Sequence, residues 1–445
     1  MKSLIAVTLF ATLATTFPSS AAAAADATQP AVVRQGGVAI VSQSDPQAAL
    51  VGVEVVIPAG LDRQTLRQNG LAALVAQTIL QTPVTVAGAS PVPLERAIAA
   101  SGGSIRFAID PDNVHFYVEA LAQDAPAVLA MFRQALTAPD FAPATVVDAR
   151  TALSTKLAQS AQYSQYALQV GVDMLNQASS TQANAGFPAL GTRTSLAQLV
   201  PSDAAAFYRT YYRRGGALVS AVGRLDALGA ADLSSLASAL PDGTTSVVTT
   251  HVAPLQGASR EVIAHRDIAA PWLIAQYPAP DVASRDFGPM LVLSAFLRRT
   301  LSDIAQVPGV VSPTFMSRAV GADYAYDRAP AHLVLYVNGG IGNPTRTFAT
   351  ALSVVSVLAA TRLQGSIDQF KAQAAGDFAT GATTLETRAW LAAVFARGDA
   401  SPDFLNRALQ AISNTTPGDV QRVARLYLGN PTIALVLPRD ESTHN

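Results

Sequence analysis

The feature that most constrains the fold of this chain is a segment that occurs twice, once near the middle and once near the end. The copies span residues 199–222 and 415–437, and each contains a Pro-x-Asp turn, a helical stretch ending in Tyr and an apolar strand. Asp203 and Tyr211 of the first copy correspond to Asp419 and Tyr427 of the second, both 216 residues later. A repeat of this kind indicates one duplicated unit, in which each Asp caps free N–H groups at the start of a helix.

The duplication predicts two homologous halves, residues 33–239 and 260–445, with residues 240–259 as a linker rich in Pro, Gly, Thr and Ser. Alternating apolar residues predict strands at 104–109 and 114–120, and longer periodic stretches predict helices at 125–138 and 143–177. We therefore expect an α+β chain of two sandwiches, each a mostly antiparallel sheet covered by helices. Halves joined in this way leave a cleft between them that suits an extended peptide.

Composition removes several classes of function. The 445 residues are 50% hydrophobic and 14% charged, which favours compact folding over disorder. A net charge of -1 without a basic run gives no electrostatic footprint for nucleic acid. With no cysteine in the chain, disulfides, thiolate zinc sites and cysteine nucleophiles are excluded.

The first residues have the pattern of an export signal. Lys2 precedes an apolar run, and a stretch of small residues follows where cleavage would occur, so residues 1–27 are predicted to be a signal peptide. Pro18 and several Thr residues interrupt the run before it reaches the roughly 20 apolar residues that a membrane span needs. We expect a periplasmic or secreted protein with no membrane span after cleavage.

The order of elements, the segment GFPALGTRTSLAQLVPSDAAAFYRTYYRRGGALVSAVGRLD (residues 186–226) and the C-terminal TTPGDVQRVARLYLGNPTIALVLP (residues 415–438) carry a family resemblance. They are similar to the insulinase/pitrilysin (inverzincin) family of zinc metallopeptidases, over nearly all of the chain after the signal. The resemblance is to its short two-domain bacterial subunits and to the mitochondrial processing peptidase subunits, which commonly work as pairs. It implies peptides as ligands and a catalytic zinc-peptidase homologue, or a second copy of this chain, as partner.

The zinc motif of the family is absent from its expected place. Active members carry His-x-x-Glu-His on a helix, with two imidazoles that hold Zn²⁺ and a Glu that activates the bound water. In the family the motif usually follows Gly-Leu-Ala, which stands here at residues 70–72 and places Ala73, Ala76 and Gln77 at the three chemical positions. The third ligand, a Glu in the family, falls at Lys156. The resemblance thus implies no cofactor and no catalytic residue, and we hypothesise that Lys156 points toward Gln77.

A zinc site elsewhere in the chain is the alternative, and it would make the protein an active zinc metalloendopeptidase with displaced ligands. Five histidines are available, and no two are four residues apart as a helical zinc site requires. They are His115, His251, His265, His332 and His444.

Family members often carry an Arg-Gly-Leu-Ala-Tyr segment in the second half, whose Arg and Tyr contact the peptide backbone. One alignment matches it to residues 308–312 and loses both polar residues, while the other keeps them as Arg318 and Tyr324. In the second alignment, the guanidinium and the hydroxyl would bind a substrate carbonyl or carboxylate. The alternative is a rim Arg and a half-buried strand Tyr.

These observations predict a non-catalytic, zinc-free subunit of an exported heterodimeric peptidase, which encloses the chamber and binds peptide substrates. A stand-alone peptide-binding or scaffold protein is the alternative from another class. A catalytic homologue that co-purifies with the protein separates the two.

Overall fold

The computed structural model describes residues 30–85, 90–161, 166–179, 183–228, 230–245, 260–305, 320–327, 330–339, 343–360, 366–398 and 402–439. They form two sandwiches in which helices cover a mostly antiparallel sheet, which confirms the predicted α+β fold. Within these ranges, the helices are all too short or too polar to cross a membrane.

The N-terminal half contains a six-stranded sheet in the order β1-β2-β8-β3-β7-β6 and a two-stranded ribbon, β4-β5. The strands are β1 Ala31–Gln35, β2 Val38–Ser44, β3 Leu50–Ile57, β4 Pro83–Val84, β5 Val92–Pro93, β6 Ser104–Ile109, β7 Val114–Leu121 and β8 Leu218–Gly223. The helices are α1 Leu71–Gln81, α2 Leu94–Ala100, α3 Ala125–Thr137, α4 Pro143–Ser160, α5 Tyr166–Ser179, α6 Arg193–Gln198, α7 Pro201–Tyr211 and α8 Ala230–Ala237.

The C-terminal half contains a five-stranded sheet in the order β11-β12-β10-β13-β9. The strands are β9 Arg260–Arg266, β10 Trp272–Pro278, β11 Val320–Ala325, β12 His332–Asn338 and β13 Thr432–Pro438. The helices are α9 Phe287–Ala305, α10 Pro344–Ala360, α11 Asp368–Gly381, α12 Leu385–Arg397, α13 Phe404–Ser413 and α14 Pro417–Tyr427.

The two sheets share one topology. The order β2-β8-β3-β7-β6 in the N-terminal sheet corresponds to β9-β13-β10-β12-β11 in the C-terminal sheet. The pairs β2–β8 and β9–β13 are parallel, and the other pairs of these two sets are antiparallel. The repeated Asp residues do the same work in both halves. Asp203 accepts a hydrogen bond from the Val200 N–H at 3.0 Å, and Asp419 accepts one from the Thr416 N–H at 3.2 Å. Duplication therefore extends from the sheet order to the helix caps.

One helix from each half packs on the sheet of the other half. Helix α5 packs on β10 and β13 of the C-terminal sheet through a cluster that includes Ala167, Leu175 and Ile274. Helix α12 packs on β3 and β8 of the N-terminal sheet, where Ala389 meets Tyr117 and Val222. A strand in a sheet that is covered on both faces has a nearly continuous apolar sequence, as β3 has in LVGVEVVI.

This exchange explains one difference from the predicted elements. The periodic stretch 143–177 was expected to be one helix, but α4 ends at Ser160 and α5 begins at Tyr166. The two helices bury their apolar faces in different cores, α4 in its own half and α5 on the opposite sheet. Sequence periodicity does not distinguish those cores.

The boundaries of the halves shift by a few residues. The N-terminal sheet begins at Ala31 rather than at residue 33. The first part of the predicted linker is attached to the N-terminal half, because Arg214 and Gly215 donate N–H hydrogen bonds to the carbonyls of Pro241 and Gly243. Residues 246–259 of that linker and the signal sequence lie outside the described residues. A cavity of about 250 Å³ opens between Pro58, Gly216 and the end of α12 at Arg397.

Candidate functional site

Helix α1 begins where the Gly-Leu-Ala segment placed it. Gly70 precedes it with φ 91°, a left-handed conformation that favours glycine, and a Cβ there would lie 2.9 Å from Leu196 Cδ2. The Ala72 N–H donates to Gln64 Oε1 at 2.9 Å, which satisfies one of the free amides of the first turn. The glycine therefore fixes the start of the helix, and with it the direction of the side chains that follow.

The four positions at which the family resemblance places the zinc motif differ in burial and contacts. Ala73 and Ala76 are fully buried in the core of the N-terminal half. Gln77 is also fully buried, and the half-buried Lys156 of α4 reaches it, with Nζ donating to Gln77 Oε1 at 2.7 Å. This contact confirms the hypothesis that Lys156 points toward Gln77. The ammonium also lies 4.7 Å from the centre of the Phe107 ring on β6, close enough for a cation–π interaction.

Burial lowers the pKa of Lys156, and the nearby carboxylate of Glu95 partly opposes this effect. Glu95 is held in place by Gln81, whose Nε2 donates to Glu95 Oε1 at 2.7 Å. Only one end of the Gln77 amide is hydrogen-bonded, because its Nε2 is buried and has no hydrogen-bond partner among the described residues. The site thus holds one cation, one carboxylate and one buried amide donor.

These residues do not fit a zinc ion. The methyl groups of Ala73 and Ala76 carry no lone pair, the Gln77 oxygen already accepts a hydrogen bond, and the Lys156 ammonium repels a cation. In the described part of the chain, no group of three or more His, Asp or Glu side chains is placed to hold a metal. The family's metal chemistry therefore has no ligand set at this position.

Strand β6 lies beside this site with a free edge, because β7 is its one neighbour among the described strands. The Asp110 N–H donates to the Asn113 carbonyl at 2.8 Å, so these two residues form a hydrogen-bonded pair at the turn. Hydrogen-bonded and non-hydrogen-bonded pairs alternate along an antiparallel ladder. Ile105 and Phe107, two non-hydrogen-bonded positions on β6, therefore direct their N–H and C=O groups away from β7 and toward the free edge.

The predicted peptide contact at Tyr324 needs correction. Tyr324 is only 7% exposed, packs against Phe287 and Tyr326, and donates its hydroxyl to the Pro280 carbonyl inside the C-terminal core. Its alternation along β11 turns it inward, so the hydroxyl is both hidden and already used. Arg318 lies outside the described residues.

Phe107 and the outward amides of β6 belong to the site and were not identified from sequence. The strand itself was predicted, but its place at the edge of the sheet depends on the strand order, which alternation does not specify. The cation–π contact joins residues on two elements that are distant along the chain.

Residues 39–193 match the family model described as insulinase (peptidase family M16). No curated protein is similar enough to this chain to match it. Solved structures with the same fold span almost the whole chain.

Three of these structures show the extent of the likeness. A protease from Helicobacter pylori superimposes with a TM-score of 0.74 at 14% identity, covering 93% of this chain and 99% of its own. A peptidase M16 inactive domain from Pseudomonas fluorescens gives a TM-score of 0.70 at 13% identity, with 92% and 98% covered. An M16-like peptidase from Alicyclobacillus acidocaldarius gives a TM-score of 0.68 at 14% identity, also with 92% and 98% covered. At these identities the likeness establishes the fold.

Proposed function

Because residues 39–193 match the insulinase family model (peptidase family M16), we propose that this chain is a zinc-free, non-catalytic member of that family that binds peptides beside a catalytic homologue. The observation that carries the proposal is the hydrogen bond from Lys156 to Gln77. At two positions where the family has zinc ligands, this chain has an ammonium group, Lys156, and the amide oxygen of Gln77 that accepts its hydrogen bond. The fold shared with an inactive M16 domain is compatible with this conclusion.

Peptide binding would use the free edge of β6. An extended peptide that pairs with this strand gains main-chain hydrogen bonds from the outward groups of Ile105 and Phe107. The Lys156 ammonium has three N–H donors, and Gln77 takes one of them within the described residues. A second donor would then bind a carbonyl of the added peptide, since the Phe107 ring holds the ammonium beside the strand.

The proposal extends to a partner and to a location. A subunit without ligands contributes to proteolysis only if another chain supplies the zinc, so we propose a heterodimer with an exported homologue that contains His-x-x-Glu-His. The apolar run after Lys2 supports export to the periplasm or the exterior. In this arrangement the chain would enclose half of the chamber and hold the substrate.

The pairing is tested by measuring zinc content and peptide hydrolysis for the protein alone and after mixing with that homologue. We expect no stoichiometric zinc and no hydrolysis from the isolated protein, and faster hydrolysis by the mixture than by the homologue alone. Zinc together with activity in the isolated protein would overturn the proposal. No gain on mixing, with peptide binding retained, would instead favour the stand-alone peptide-binding protein.

Peptide binding has its own test, because the sequence holds three lysines, Lys2, Lys156 and Lys371. Acetylation rates at Lys156 and Lys371 are measured by mass spectrometry with and without saturating extended peptides. We expect protection at Lys156 alone, because Lys371 donates to the carbonyls of Ser413 and Thr415 in the other half. Equal rates at Lys156 with and without a peptide that binds would place the peptide elsewhere.

A further inference from the structure

Three buried ionisable side chains lie under α12, on the face of the N-terminal sheet opposite α1. They are Glu54 on β3, His115 on β7 and Asp110 in the turn after β6, and each is at most 3% exposed. Glu54 Oε1 lies 3.0 Å from His115 Nδ1, and Asp110 Oδ2 lies 3.3 Å from His115 Nε2. The imidazole therefore sits between two carboxylates, out of reach of water.

Helix α12 closes this cluster with an aromatic ring. The Trp390 ring lies 4.0 Å from the imidazole, centre to centre, and its Nε1 donates to Asp327 Oδ2 at 3.1 Å. An indole face attracts a positive charge, so it favours the protonated imidazole. Every main contact of the His115 ring thus favours the imidazolium.

Ion pairs at both ends of α12 surround the cluster. Near the start of the helix, Glu386 pairs with Arg106 at 2.5 Å and Arg388 pairs with Asp45 at 3.0 Å. At its end, Arg397 pairs with Asp112 at 2.5 Å. Glu386 is the charged group of α12 that acts on the cluster, through repulsion of Glu54. The charges in contact with His115 are therefore those of Glu54 and Asp110, while Glu386 acts on Glu54.

The contact of α5 with the C-terminal sheet can be compared directly with the contact of α12 with the N-terminal sheet. Pro58-Ala59 directly follows β3, and Pro278-Ala279 stands at the end of β10; aligning these two dipeptides makes Ile274 the counterpart of Glu54. The same alignment makes Gln276 the counterpart of Val56. His115 pairs with Val56 across the N-terminal sheet, and Val334 pairs with Gln276 across the C-terminal sheet, so Val334 is the counterpart of His115. An Ile and a Val thus occupy in the C-terminal half the places of Glu54 and His115, and α5 packs on them through apolar contacts.

Stability alone does not require charges under α12, because α5 shows that an apolar pair closes the equivalent contact. Buried charges lose their hydration, and their mutual attraction only partly offsets that loss. What the charged cluster adds is a dependence on protons. We propose that Glu54, His115 and Asp110 form a proton-dependent latch that holds α12 on the N-terminal sheet while His115 is protonated and releases it on deprotonation.

The direction of the pH effect follows from the pKa values. Burial alone would lower the pKa of His115, but the contacts with Asp110 and Glu54 outweigh it and raise the pKa to about 9. The folded protein then holds a proton that the unfolded chain releases near pH 6.5, so the latch is fully closed below that pH and opens as pH rises through about 9. Burial raises the pKa of Glu54 as well, which gives a loss of stability in the same direction.

The first test is an NMR titration of the His115 imidazole in the whole protein, assigned by comparison with His115→Gln. We expect an imidazolium at pH 7.5 and a midpoint near pH 9. A midpoint at or below 6.5 would overturn the latch. This measurement uses the unmodified protein, so it does not depend on the folding of any variant.

The second test is amide hydrogen exchange of α12 and α5 at pH 7 and pH 9.5, corrected for the intrinsic rate. We expect protection of α12 to fall by at least about tenfold, while α5, on its apolar contact, changes little. In the variant Glu54→Ile/His115→Val/Asp110→Asn, protection of α12 should no longer depend on pH. Equal pH dependence of the two helices in the unmodified protein would contradict the proposal.

Discussion

At the scale of single residues, Lys156 satisfies only half of the hydrogen-bonding capacity of Gln77. Lys156→Met should lower the free energy of unfolding by about 1–2 kcal/mol, because Gln77 Oε1 then has no donor. Gln77→Leu should leave it unchanged or raise it by up to about 1 kcal/mol, since it removes the unpaired Nε2 and leaves Lys156 in reach of water.

Urea denaturation of the two single variants and the double variant measures this coupling. The double variant should be close to the unmodified protein, because both partners are replaced by apolar groups of similar size. A Gln77→Leu variant as unstable as Lys156→Met would show that the buried amide has a partner.

The register of the zinc motif that the family resemblance implies can be tested by introducing the motif's ligands. The variant Ala73→His/Ala76→Glu/Gln77→His/Lys156→Glu should bind one zinc ion, because it puts two imidazoles one helical turn apart and a carboxylate in place of the ammonium. Isothermal titration calorimetry measures the affinity. The matched control keeps Lys156 and changes only the three α1 positions, and it should bind zinc at least about tenfold more weakly. Equal affinities in two folded variants would mean that Lys156 does not face the site.

The sequence predicts this pair of residues better than it predicts their surroundings. A motif with fixed spacing carries its own register, so Gln77 and Lys156 could be assigned without coordinates. Tyr324 could not, because an Arg and a Tyr with an insertion between them fit more than one strand position. The contact of His115 with Trp390 joins residues in different halves. No local pattern encodes it.

At the scale of elements, the edge strand β6 gives a test of peptide pairing. Pro is tolerated at an edge position whose N–H points outward, and Ile105 is such a position. Ile105→Pro should weaken peptide binding by about 2- to 10-fold relative to Ile105→Ala, because it removes one main-chain donor of about 0.5–1.5 kcal/mol. Fluorescence anisotropy with a labelled extended peptide measures both. If the two variants bind equally, the peptide does not pair with this edge.

Local pattern predicts single elements well and their neighbours poorly. Alternation of apolar and polar residues identified β6 and β7 nearly to the residue; β6 has a more buried and a more exposed face, whereas β7 is buried on both faces. The break between α4 and α5 was not predicted, because both helices are amphipathic and only the three-dimensional arrangement decides which sheet each one covers.

At the scale of the whole molecule, one of the two helix–sheet contacts between the halves has a glycine at its centre. Gly171 on α5 faces the C-terminal sheet, where a Cβ would lie 2.1 Å from Ile274 Cδ1. Ala normally stabilises a helix relative to Gly, but here the fully buried Ile274 side chain would have to shift within a packed contact, and Gly171→Ala should cost about 1–3 kcal/mol of unfolding free energy. Thermal and urea unfolding measure the change.

Two further variants make this prediction specific. Adding Ile274→Val to Gly171→Ala removes the clashing methyl and should restore part of the loss. Gly376→Ala on α11, where no described atom outside the surrounding helical turns lies within 4 Å of the new Cβ, should stabilise the protein by about 0.5–1 kcal/mol. Destabilisation by Gly376→Ala equal to that by Gly171→Ala would remove the clash as the cause.

The exchange of helices between halves also has a consequence for synthesis. The apolar face of α5 is covered by β10 and β13, and β13 follows α5 by more than half the length of the chain. A ribosome-bound N-terminal half therefore leaves this face of the helix uncovered until the last strand has been synthesised. A chain truncated before β13 would keep that apolar face exposed, which makes it a target for chaperones and proteases.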